Sequence, residues 1–160
     1  MSKFNELNDN IKKIIETILS SQDLCKLLYY SSTTPLLEAN LPDTNIILLN
    51  NLFPTPVTPA IEDEAKSIIT IVLDDFALGR DNNAFKTSKI VFNVFTHLDL
   101  WLLNDTKIRP YSILNEIDTL FNQQRIATIG KLEFVSSRWI AISAKWHGYQ
   151  ISYKNCDFNT

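Results

Sequence analysis

The segment 66–76, KSIITIVLDDF, constrains the fold more than any other stretch of these 160 residues. Successive residues of a strand point to opposite faces, and here both sets are apolar. Ile68 and Val72 fall on one side, and Ile69, Ile71 and Leu73 on the other. Such a strand has no wet face and belongs inside a sheet covered on both sides. A second run, 88–98, alternates: Ile90, Phe92, Val94 and Leu98 share one face, and Lys89, Asn93 and His97 the other. The polar loop Gly79-Arg80-Asp81-Asn82-Asn83 joins the two runs, and together they predict a long hairpin.

Helical patterns flank this hairpin. Phe4, Leu7, Ile11, Ile14, Ile15 and Ile18 recur at helical spacing while Lys12, Lys13 and Glu16 point away, which predicts an amphipathic helix over about residues 3–19. Ser21 is placed to cap a second, shorter helix presenting Leu24, Leu27 and Leu28. Arg109-Pro110 opens a third, with Ile113, Leu114, Ile117, Leu120 and Phe121 as its buried stripe. Between the second helix and the hairpin, residues 31–63 hold Pro35, Pro42, Pro54, Pro56 and Pro59, each of which resists helix and central strand. They read as an extended arm with a short helical turn or strand near residues 46–49. The arm either wraps its own domain or reaches a neighbouring subunit.

After Gly130 the period returns to two. Leu132 and Phe134 alternate with charged residues, Ser136-Ser137-Arg138 reads as a turn, and Ile140, Ile142, Ala144 and Trp146 alternate again. His147-Gly148 reads as a break or bulge, beyond which Tyr149, Ile151 and Tyr153 resume. A polar tail, 155–160, is expected to be loose. The chain therefore predicts one α+β domain over residues 1–160. Its mostly antiparallel sheet has four to five strands, with a helix pair and one mid-chain helix on one face. The opposite face is read as carrying Val91, Phe95, Ile69 and Ile71 beside Lys89, Asn93 and His97, with nothing left to cover it, and so as a subunit interface.

Chemistry is sparse. A formal net charge of −3 without a Lys/Arg block argues against phosphate-driven nucleic-acid binding. No basic start with an apolar run resembles a signal peptide, and no run approaches the ~20 residues a bilayer needs, so the reading is a soluble protein made in the cytoplasm, with no membrane partner. Cys25 and Cys156 read as free thiols in a reducing compartment. His97 and Asp99, with Asp74 and Asp75, can be written as a hydrolase site, but a lone strand-end histidine is more often structural, as is His147. Gly79, Gly130 and Gly148 stand too far apart to cradle a phosphate. No cofactor or metal is expected, and the chain is not read as an enzyme. Trp101, Trp139, Trp146, Tyr149 and Tyr153 offer rings for stacking single-stranded bases, yet only Arg138 and Lys145 stand near to hold phosphates.

The order of these pieces resembles the tail-terminator and head–tail connector (neck) proteins of tailed bacteriophages. The resemblance is carried by the N-terminal aliphatic helix closing in Leu24-Cys-Lys-Leu-Leu28, the two central strands, and Trp101-Leu-Leu-Asn-Asp105. It continues through the helix from Arg109, Ile129-Gly-Lys-Leu-Glu-Phe134, and Trp146-His-Gly-Tyr-Gln-Ile-Ser-Tyr153. It implies a non-enzymatic virion protein forming a homo-oligomeric ring, a hexamer or dodecamer, around the DNA channel. The partners it implies are portal, other neck or tail-tube proteins. The arm and the loop 78–85 are expected to touch neighbouring subunits, giving Ile46, Ile47, Leu52, Phe53, Leu78, Arg80, Phe85, Phe95, Trp101 and Tyr149 as interface candidates. The competing expectation is a monomeric module that binds single-stranded nucleic acid or a small ligand.

Overall fold

The apolar stripes of the helices settle where they lie. In the computed structural model, which describes residues 5–74, 77–78, 85–86, 89–126 and 129–155, α1 (Asn5–Leu19) buries Ile14 and Ile18. Helix α2 (Gln22–Tyr29) starts at Ser21, whose Oγ accepts from the Leu24 N–H at 3.2 Å. Helix α3 (Arg109–Phe121) buries Ile113, Ile117 and Phe121. All three cover one face of the sheet.

The strands are β1 (Leu52–Phe53), β2 (Ser67–Asp74), β3 (Ala77–Leu78), β4 (Phe85–Lys86), β5 (Lys89–His97), β6 (Arg125–Ile126), β7 (Gly130–Ala141) and β8 (Trp146–Asn155). Six of them form one sheet in the order β1-β2-β5-β8-β7-β6, and β3 and β4 pair separately. The α+β class holds, but the sheet has more strands than four to five. It is also mixed, because β1 runs parallel to β2. The extra strand comes from the arm, which turns back onto the sheet. Pro35–Leu37 and Thr44–Ile47 form short 3-10 turns, and Leu41, Ile47 and Leu52 enter the core.

Strand register assigns the two faces. Ile69, Val94 and Tyr149 form one transverse row, and Ile71, Phe92 and Ile151 the next. Both rows lie beneath the helices. Ile69 and Ile71 therefore belong to the helix-covered face, contrary to the sequence reading. On the other face Ile68, Phe95, Gly148 and Ile140 make an apolar row. Beside it runs a hydrogen-bonded row across four strands. Asn93 Nδ2 donates to Thr70 Oγ1 at 3.1 Å, Gln150 Nε2 to Asn93 Oδ1 at 3.0 Å, and Arg138 Nε to Gln150 Oε1 at 3.1 Å. Ile68, Phe95 and Trp146 are buried together, with Phe53, Ile140 and Ile142 packed against them. That face is not left uncovered, as the sequence had implied: Phe95 is only 6% exposed.

Three local readings change. Leu98 leaves β5 for a short turn and is exposed. Ser136-Ser137-Arg138 is not a turn but the middle of β7, which passes a bulge between Phe134 and Ser136. Strand β8 runs unbroken through His147-Gly148. Gly148 is needed for a different reason: a Cβ there would sit 1.6 Å from the Val94 carbonyl oxygen, so only glycine lets β8 approach β5. The tail beyond Asn155 lies outside the described residues.

Sequence reading also missed the role of Arg109. It is buried without a carboxylate, and its guanidinium donates to four carbonyls: Leu100 O (2.9 Å), Leu27 O (2.9 Å), Tyr30 O (2.9 Å) and Ser32 O (2.6 Å). Two of these lie at the C-terminal end of α2, where the helix dipole favours a cation. Burial lowers its pKa to about 10, still well above neutral pH. One side chain thus ties α2, the start of the arm and the loop before α3 to a single point.

Candidate interaction surface

With both faces of the sheet largely filled, its edges become the informative regions. At the β1 edge the arm consumes the backbone groups. Ile69 N–H donates to Asn51 O at 2.7 Å, and Leu49 N–H to Leu52 O at 2.9 Å. The buried Asn51 side chain donates to Leu28 O (2.8 Å) and Ser67 O (2.9 Å), locking the arm onto α2 and β2. What this edge shows to solvent is side chains: Ile46 and Leu49 are exposed, and so is Ile61 farther along the arm. Leu49 holds φ at 62°, a left-handed conformation that costs a branched apolar residue energy.

The β7 edge differs. Strand β6 pairs only with Gly130 and Lys131, and Asn122 Oδ1 accepts from the Phe134 N–H at 3.1 Å. Beyond that point β7 has no strand neighbour on its outer side among the described residues. Ile142 N–H donates to Trp146 O, so alternation turns the backbone groups of Ser137, Trp139 and Ala141 outward. Helix α3 stops short of this strand and leaves a ledge. A cleft of about 420 Å³ separates them, lined by Tyr111, Leu114, Asp118, Phe134, Ser137 and Ile151 among others.

Beside the cleft, sharing Tyr111 with its lining, lies a cluster of aromatic rings that completes the ledge. Trp139 stacks on His147 with centroids 5.7 Å apart and planes 12° from parallel, and its other ring face is open, with 60% of the residue exposed. Trp101 meets His147 at 6.2 Å and Tyr149 at 6.5 Å, and Tyr111 meets Tyr149 at 5.3 Å. Tyr149 Oη donates to Tyr111 Oη at 2.9 Å, and this bond, with burial, pushes the Tyr149 pKa up to about 12. The Tyr149 hydroxyl therefore stays neutral near pH 7.

The sequence candidates divide accordingly. Trp101 and Tyr149 lie together in the ledge, and Ile46 is exposed on the arm. Ile47, Leu52 and Phe95 are corrections: their side chains are spent on the subunit's own core. Phe53 is half-buried against the second cluster. Leu78 and Phe85 pair through their backbones in β3 and β4, while their side chains, and Arg80 entirely, lie outside the described residues. Trp139 and Tyr111 share this aromatic cluster and were not among the interface candidates. The bulge hid Trp139 by shifting the alternation at Phe134, which made the Ser-Ser-Arg run look like a turn.

The catalytic constellation assembles only in part: His97 Nδ1 and Asp99 Oδ2 lie 3.6 Å apart, with the carboxylate exposed. His97 Nδ1 accepts from the Asp99 N–H at 3.1 Å, capping a turn, and its ring packs edge-on against Trp146. Asp74 pairs with Lys89 at the far end of the hairpin, eight residue steps or ~27 Å from His97; Asp75 lies outside the described residues. Among the described residues no three His, Cys, Asp or Glu side chains converge to hold a metal, and no helix is long and apolar enough to cross a membrane. Of the five rings considered for base stacking, Trp146 and Tyr153 are fully buried. Arg138 projects from the opposite face of β7, held by Gln150. Among known proteins, the family model YomW matches residues 21–155, and no curated protein matches the chain.

Proposed function

The chain belongs to the YomW family, a phage-derived family, and from that premise we propose that it is a non-enzymatic structural phage protein. In this reading it forms a homo-oligomeric ring at the head–tail junction, as tail terminator or neck connector. One observation carries the reading: the two edges of the sheet present different surfaces, exposed aliphatic side chains at β1 and an aromatic ledge at β7. Two unlike surfaces on opposite sides of a subunit are what head-to-tail association needs, and closure of that repeat gives a ring. Mass spectrometry of purified virions tests the assignment. The protein is expected in particles at a fixed small copy number, and phage lacking it should accumulate unjoined heads and tails. Absence from particles, with normal assembly without it, would refute the reading.

The ledge also favours a second reading, a module that stacks single-stranded nucleic acid. Fluorescence anisotropy with labelled oligonucleotides separates the two. Salt-dependent binding lost in Trp139→Ala would support this alternative.

A further inference from the structure

We propose that the occupant of the aromatic ledge is the proline-rich arm of a second copy, residues 54–64, which makes the ring contact specific. This rests on the ring reading and names its interface. The arm segment PTPVTPAIEDE contains Pro56-Val-Thr-Pro59, and residues 56–60 form neither helix nor strand. Proline-rich extended segments dock on aromatic grooves because proline rings lie flat on aromatic faces and the stiff backbone loses little entropy on binding. Pro56 and Ile61 are exposed while Pro59 is buried in its own copy, so Pro56 is the proline ring on offer, and the exposed Trp139 with Tyr111 and Tyr149 supplies such a groove.

Charge agrees with the pairing. Glu62 and Glu64 are exposed at the end of the segment and make no ion pair among the described residues. Lys107, in the loop carrying Trp101, and Lys145, in the turn before His147, are likewise exposed and without ion pairs. Each set supplies what the other lacks, and a copy cannot satisfy itself. Its arm is anchored at both ends to the β1 side, by Phe53 on β2 and by the start of β2. That is four strand spacings, ~19 Å, from β7. The contact is therefore made in trans and leaves a free arm and a free ledge on every growing assembly.

Sedimentation of the full chain tests this with Trp139→Ala as the ledge variant and Glu62→Lys/Glu64→Lys as the arm variant. Each alone is expected to weaken self-association roughly 30-fold while keeping the wild-type circular dichroism and melting temperature. Mixed in equal amounts, the two should form a heterodimer and nothing larger, because one intact contact survives. Adding Lys107→Glu/Lys145→Glu to the arm variant should restore assembly, and this rescue holds as a test even if Trp139→Ala folds poorly. If wild type assembles and both variants assemble at the same concentration, or the mixture gives no heterodimer, this interface is wrong while the ring reading stands. If wild type never assembles, both fall together.

Discussion

The β1 and β7 edges are built from unlike material and end in opposite states. At β1 a run with five prolines, which on propensity belongs to no sheet, is drawn in by Leu41, Ile47 and Leu52 and closes the edge with its own backbone. At β7 a long strand ends without a strand neighbour among the described residues, its aromatic side chains half in water. Unpaired strand edges invite association and are usually blunted. Here the bulge, the Asn122 cap and Arg138 blunt one part of the strand, and the part bearing Trp139 is left open. One edge serves the fold, and in the proposed ring the other is kept for contact, so substitutions on the two should separate stability from assembly.

The largest effect is expected from Arg109→Ala, which strands four buried carbonyls around the start of the arm. A loss of about 3–5 kcal/mol in denaturant unfolding follows from removing a buried, fully bonded cation. A loss below ~1 kcal/mol would show that water replaces it easily. Asn51→Ala should cost about 2 kcal/mol, since it unties α2 from the β1 edge and leaves Leu28 O and Ser67 O short of a donor.

Those two residues show how far the sequence could be read. The helices, the two-sided β2 and the alternation of β5 follow from side-chain period alone, because burying their apolar stripes admits few arrangements. Arg109 and Asn51 were invisible because their partners are backbone carbonyls tens of residues away, which leave no mark on local pattern. The ledge was half legible: Trp101, Trp139 and Tyr149 were all singled out as rings for stacking, but Trp139 was left off the interface candidates because a bulge that one inserted residue, Val135, creates hid the strand around it. The covering of Phe95 depends on Trp146 arriving from the other end of the chain, a long-range contact that periodicity does not encode.

A pH effect of similar size comes from the α1–α2 corner. Burial pushes the Cys25 thiol up to about 11 from its ordinary 9. Its folded pKa is the higher one, so its contribution is whole below pH 9 and is lost as pH rises through 11. Wild type should fall by roughly 2 kcal/mol relative to Cys25→Ala across that window. Parallel curves would show that the thiol reaches solvent.

Smaller effects sharpen the comparison from the contact side. Trp139→Ala should change unfolding stability by less than ~0.5 kcal/mol, because most of the ring already meets water. A large loss would make the ledge structural. Leu49→Asn should stabilise by about 0.5–1 kcal/mol, since asparagine tolerates the left-handed conformation that Leu49 adopts. A destabilised variant would mean that the exposed leucine is held for the fold and not for a neighbour.

The native mass of the purified chain bears most directly on the claim that its two edges meet between copies. Sedimentation equilibrium over a concentration series should show an 18.3 kDa subunit giving way to one closed assembly of several copies with no larger species. A single 18.3 kDa species persisting to roughly 1 mM, where even weak contacts of ~4 kcal/mol register, would contradict it.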